Sequence, residues 1–472
     1  MPGSTKFLLS AVAFLLAVVA YLTANHLGLL TSSSATRPAA SLPVTTTTSA
    51  PVPPQGSATQ AASPTPTQLD PAQVKRLYET CTSGAFPTQS DATQRADACS
   101  QALQTRQLKP DEVAMARLVR GIARTALGDR ALAGTDYADA VQHYDQLIDT
   151  RNPDALALYR RAVALEASGQ TEKALEDYTA AIRADPKASF AFLGRGVLLA
   201  VRQRAYQRAI DDFDKVLVLE PDNVEALISR GDAFNQLGDI GRAMADLDRA
   251  VSLLPDKPTA LLARGRVEGR RGNLSAAVRD YEAALKVDPR NVQALTDLAA
   301  ARSLQGQPDR AIRDLDQTIA IAPNYALAFY NRGYANFALK RYDRAIADYS
   351  SAIRLDPRFG VAYNNRGLAR AILGVDLVQA LADTDEALKL QPLNVDIRET
   401  RGFVYLKLGD PALALKEYDT ALDMDPNQSV ALYGRGLAKI RMGDIAAGKN
   451  DQQAALTINP EVAREFAAFG LE

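Results

Sequence analysis

A proline recurs on a nearly fixed period through most of this chain, at Pro186, Pro221, Pro255, Pro289, Pro323, Pro357, Pro392, Pro426 and Pro460. Successive prolines lie 34 or 35 residues apart. A period of that size describes stacked supersecondary units, none of which buries its apolar face alone. A length of 472 residues ordinarily suggests two or three globular domains; the period replaces them with one elongated array.

Every period divides in the same way. In the unit from Ala326 to Phe359 both halves carry a helical pattern, the second from Tyr342 to Leu355. Leu339, Lys340 and Arg341 separate them, where most other units carry glycine. The proline cannot continue the second helix, and it disfavours helix in the residue before it. Each unit therefore reads as an antiparallel helix pair. Its eighth position is small throughout: Gly121, Ala162, Gly196, Gly231, Gly265, Ala299, Gly333, Gly367, Gly402 and Gly436. The twentieth is Ala133, Ala174, Ala209, Ala243, Ala277, Ala311, Ala345, Ala380 and Ala414, then Gly448. Small residues facing each other let two helix backbones approach. The second helices then bury a larger residue, such as Tyr178, Phe213, Tyr281, Tyr349 or Tyr418.

These positions resemble the tetratricopeptide repeat, which is small at eight and twenty, aromatic near twenty-four and proline at thirty-two. The resemblance spans residues 111–460 in ten copies. It departs from the family in having no tryptophan, with Leu, Phe or Tyr usually in its place. The first copy runs about two helical turns long before Pro153. The last has Gly448 and Gln452 where Ala and an aromatic are expected. The resemblance implies an all-α, right-handed superhelical solenoid, closed by a capping helix in residues 461–472. It also implies a protein that binds protein or peptide segments on its concave face. The repeats take up nearly all the foldable chain, so the chain reads as non-catalytic, with no cofactor; the alternative is an enzyme, as in family members that append a catalytic domain.

Arginine recurs at the seventh position, and each such copy has an acid near the twenty-third. Arg332 with Asp348 and Arg366 with Asp383 are examples; one copy has Leu298 instead of Arg. Nine acid–base pairs in register read as a ladder joining the two helices of each unit, because catalytic pairs are not repeated in every unit of an array. The segment Gly443–Asn450 falls one residue short of a phosphate-binding loop and lacks the preceding strand that loop needs.

In the family, first helices line the concave face, with the second, fifth, ninth and twelfth positions turned to a ligand. Carried over, these positions give Phe190, Leu193 and Val197, then Tyr330, Tyr334 and Phe337, then Asn364, Phe403 and Tyr433. The aromatic trio of the 326–359 unit is the strongest candidate, since aromatic rings suit an apolar segment. Spacing alone leaves open whether the trio lines a groove or packs as core. The ninth position is mostly apolar, which does not match the Lys and Asn set some members use to clamp a terminal carboxylate.

Charge and composition narrow the partner. There are 54 basic and 55 acidic residues, so no basic surplus attracts nucleic acid. Two cysteines and two histidines leave almost nothing for a metal site. Residues 70–110 read as a helical hairpin containing Cys81 and Cys99, which form either a disulfide or two buried thiols. Closing a loop of that size contributes about 3 kcal/mol in the entropic model.

The first 24 residues differ from the rest. Phe7–Leu22 has no charge, Lys6 precedes it, and no Lys or Arg follows until Arg37. Residues 7–24 read as a membrane anchor with the N-terminus in the cytoplasm. The competing reading is a cleaved signal peptide, for which Val18-Val19-Ala20 is a tolerable cleavage triplet. Both export the repeats. Resemblance to bacterial repeat proteins implies a periplasm, with the anchored form single-pass on the inner membrane and the cleaved form soluble; the alternative is a secretory compartment in another cell type. Residues 25–69 are rich in Ser, Thr, Pro and Ala and read as a disordered tether.

Overall fold

The proline period appears in three dimensions as helix pairs. The computed structural model describes residues 69–82, 89–149 and 151–471, and among them every regular element is a helix, 23 in all. The expected membrane segment at residues 7–24 and nearly all of the tether at 25–69 lie outside the described residues. Among the described residues no helix is long and apolar enough to cross a membrane. Two compact units divide the repeats, one ending at Leu237 and the other beginning at Gly238, within the turn of the fourth helix pair.

The N-terminal unit starts with the helices Pro71–Thr82 and Gln89–Gln104, joined by a Cys81–Cys99 disulfide whose cysteines are fully buried. The first repeat follows as Pro110–Ala126 and Arg130–Leu147. Its second helix has 18 residues where those of later repeats have 14, so it is one turn longer. The expected extension of about two turns is thus only half helical, and the chain leaves the helix before Pro153. The C-terminal unit runs through the repeat pairs to Ile445–Ile458 and ends with the short helix Val462–Ala468.

Size complementarity sets how closely each pair packs. A Cβ built on Gly333 would meet the Tyr349 ring at 2.8 Å, and one on Gly402 would meet Tyr418 at 2.7 Å. Both tyrosines are wholly buried. Where the eighth position is Ala299, the facing residue is the smaller Leu315, also wholly buried. The turn between helices needs a left-handed residue, and Gly409 supplies it at φ 80°. In the 326–359 unit Lys340 occupies that conformation at φ 58°, which costs an L-residue roughly 1 kcal/mol.

The seventh-position arginine does more than join its own helix pair. Arg332 places Nη2 2.7 Å from Asp348 and Nη1 2.7 Å from Asp316, which belongs to the second helix of the preceding unit. Arg161 binds Asp177 and Asp145 in the same way, and Arg435 binds Asp451 and Asp419. Arg366 reaches Asp383 at 2.6 Å and Ser350 at 3.0 Å. Each of these guanidiniums therefore ties three helices together. The copy with Leu298 is not left open: Arg302, one turn later, bonds both Asp314 and Glu282. The acids are buried, Asp348 at 6% and Asp383 at 4% exposure. Removing one partner of such a pair leaves an uncompensated buried charge and destabilises by about 3–5 kcal/mol.

Candidate partner-binding surface

The first helices carry the candidate surface, and the residues expected on it fall into three groups. Phe190, Leu193 and Val197, on the helix Ser189–Arg202 of the N-terminal unit, are partly exposed. Phe190 packs edge-on against Tyr159, with ring centres 5.0 Å apart. In the C-terminal unit Tyr334 and Phe337 are also partly exposed, on the helix Ala326–Ala338. Phe337 makes an edge contact with Tyr342 at 5.1 Å.

The third group lies inside. Tyr330 is 3% exposed, between the rings of Tyr349 at 5.8 Å and Phe359 at 4.8 Å, and its hydroxyl accepts a hydrogen bond from Asn365 Nδ2. It packs in the core because its ring lies between Tyr349 of its own second helix and Phe359, which precedes the following helix. Of the two readings left open for it, the structure supports core. Asn364 is likewise buried. Phe403 is buried beneath Phe466 and Phe469 of the C-terminal segment, and Tyr433 is half-buried against Phe466.

Buried polar groups accompany this face. Asn331, next to Tyr330 in sequence and one turn before Tyr334, is 2% exposed, and neither its Oδ1 nor its Nδ2 has a hydrogen-bond partner. Asn364 Oδ1 and Asp297 Oδ2 are in the same position. A buried amide or carboxyl atom without a partner carries a desolvation cost of about 1–3 kcal/mol.

Burial also moves two acids. Asp297 accepts a hydrogen bond from Gln293 at 2.8 Å and feels the Arg266 charge, yet desolvation pushes it up to about 6. Glu399 accepts from the Ala431 amide at 3.1 Å, in the first turn of the helix Ser429–Arg441, where Gln428 supplies no side-chain cap. Desolvation, reinforced by Asp396 and Asp425, pushes Glu399 up to about 8. Near neutral pH it is largely protonated and still caps through its carbonyl oxygen. Its sequence position, fifth in its unit, suggested a ligand contact; the structure gives it this capping contact.

Two features escaped sequence reasoning. The arginine's second link, to the preceding unit, has a periodic signal: Asp214, Asp248, Asp316, Asp385 and Asp419 occupy equivalent sites in five second helices. The replacement of the missing arginine by Arg302 has no periodic signal, since it is a single substitution at a different turn. Among the described residues no cluster of His, Cys, Asp and Glu is placed to hold a metal ion.

Models of the tetratricopeptide repeat match residues 125–189, 198–268, 280–313, 326–359, 376–429 and 399–463, together more than half of the chain. DnaJ homolog subfamily C member 3 of Homo sapiens is 36% identical over 99 residues, covering 21% of this chain and 19% of that protein. The heat-shock protein cognate co-chaperone sgt12 of Aspergillus fumigatus is 33% identical over 104 residues, covering 22% of this chain and 30% of its own. The chain thus spans less than a third of either relative. A chain in the crystal structure of the APC/C hetero-tetramer Cut9-Hcn1 superposes with a TM-score of 0.50 at 18% identity, over 85% of this chain and 87% of that one. That likeness concerns the fold alone. With its repeats matched in sequence and built as helix pairs, the chain belongs to the tetratricopeptide-repeat family.

Proposed function

We propose that this protein is a non-catalytic adaptor that binds protein or peptide segments on the first-helix face of its repeats. The observation that carries this reading is the pair Tyr334 and Phe337, two partly exposed aromatic residues at helical spacing on one first helix. Aromatic rings offer apolar contact to a segment, and the tyrosine hydroxyl can hydrogen-bond its backbone. The co-chaperone sgt12, with which the chain aligns over 22% of its length, supports a protein partner.

The adaptor works outside the cytoplasm, tethered by residues 7–24, with residues 25–69 as the tether. The uncharged run Phe7–Leu22 and the charge placed before it support this. The cleavage triplet Val18-Val19-Ala20 favours a second reading, a soluble periplasmic factor. N-terminal sequencing of the mature chain separates the two.

The binding reading is tested by affinity capture with the full chain and with its Tyr334→Asp, Phe337→Asp variant. Tyr330 is left intact because it is core. A partner held by wild type and lost by the folded variant is the expected outcome. A partner held equally by both would contradict the placement of the site.

A further inference from the structure

The segment after the last repeat is seated on residues of the binding face. Val462 and Phe466 are wholly buried, and Leu471 is 3% exposed. The Phe466 ring lies 4.9 Å from Tyr433 and 6.0 Å from Phe403, and Phe469 lies 6.1 Å from Phe403. Lys407 donates from Nζ to the Phe469 carbonyl at 2.9 Å, placing a cation at the C-terminal end of the short helix. Phe403 and Tyr433 occupy ligand-facing positions of their units. Leu368 and Phe337 extend the same apolar cluster towards the repeat that carries Tyr334.

We propose that Phe403 and Tyr433, with Lys407 at the segment's C-terminal end, form a site for a short amphipathic helix whose anchors are an aliphatic residue and phenylalanines four and seven residues later. Val462, Phe466 and Phe469 are that pattern, so the chain's own segment holds the site until a partner helix of the same pattern displaces it. This inference rests on the adaptor reading and specifies what one part of the face accepts. Its structural argument is the seated segment. Val462 and Phe466 on one face of the helix and Phe469, the residue just after it, enter the cluster, while Arg464, Ala467 and Ala468 on the other face are exposed. The helix has only seven residues. A helix of that length has little stability of its own and depends on these contacts. Displacing it exchanges one set of anchors for another and lowers the partner's apparent affinity by the fraction of chains in which the site is open.

The test uses a fluorescent peptide of residues 459–472, read by anisotropy against the full chain and against its Phe466→Asp, Phe469→Asp variant. The variant is expected to bind the peptide at least ~10-fold more tightly than wild type, because its own segment no longer competes. Adding Phe403→Asp to the variant abolishes that binding. A variant with wild-type helical content that fails to bind, or that binds no better than wild type, overturns the proposal. If the variant does not fold, hydrogen exchange on the wild-type chain decides. Amides of Phe466–Leu471 opening more readily than those of the helix Ser429–Arg441 support an exchangeable occupant; equal protection overturns it. No natural partner enters this assay, so its failure leaves the Tyr334 and Phe337 reading untouched, and the failure of that reading leaves this result standing.

Discussion

The two sides of a first helix treat buried polar groups in opposite ways. At Arg332 the guanidinium meets one buried carboxylate and one exposed one, and Asn336 Nδ2 adds a further hydrogen bond to Asp348 at 3.0 Å. One residue earlier, the Asn331 amide is just as buried and has no partner. The first arrangement repeats from unit to unit with little change; the second changes with every unit. A group satisfied identically in most repeats belongs to the architecture. Unpartnered buried atoms at particular positions of a few repeats, such as Asp297, Asn331 and Asn364, lie outside that shared pattern.

Substitution at adjacent positions breaks or sharpens this contrast. Arg332→Leu has the largest expected effect: a loss of about 3–5 kcal/mol, since Asp348 keeps a buried charge without its main partner. Urea unfolding followed by circular dichroism measures it, and a loss below about 1 kcal/mol would remove the ladder from the account. Next in size is the pH dependence of Glu399. Its folded-state value lies above its unfolded one, so the folded state holds the proton more tightly. Stability is then complete below pH ~4.5 and declines as pH rises towards about 8. Glu399→Gln keeps an oxygen for the Ala431 amide and flattens that decline. Thermal melts across the window should show the variant gaining on wild type by on the order of 1–3 kcal/mol at the alkaline end.

Asn331→Leu is expected to be nearly neutral, or stabilising by up to about 1 kcal/mol, because it removes unpartnered polar atoms and keeps their volume. The same urea titration applies, and a loss near that of Arg332→Leu would show that the amide has a structural partner. The smallest effect is at the turn. Lys340→Gly relieves a left-handed lysine and should raise stability by about 0.5–1 kcal/mol, read as a small upward shift in melting temperature.

Much of this architecture is legible in the sequence because it is periodic. Proline spacing marks the unit ends, and the small residues at eight and twenty mark the contact between helices. The arginine at seven with its acid marks the ladder. What is not periodic is harder to read. Tyr330 and Tyr334 share a helix and a residue type, yet one is core and the other half-exposed, which depends on Phe359 from the following helix. Phe403 has a ligand-facing position in the repeat, but a segment about sixty residues later covers it. Arg302 takes over a missing rung from a different turn, which only the three-dimensional spacing of Asp314 and Glu282 explains.

The central claim is that the ladder joins neighbouring repeats while the proposed binding surface lies on the first helices. Its most direct test measures urea stability and partner retention on the same preparation of the full-length Tyr334→Asp, Phe337→Asp variant. The account predicts loss of the captured partner by a variant that still unfolds cooperatively, with a midpoint lowered by far less than in Arg332→Leu. A variant that retains the partner at full strength, or that loses it only as its midpoint collapses, would contradict the account.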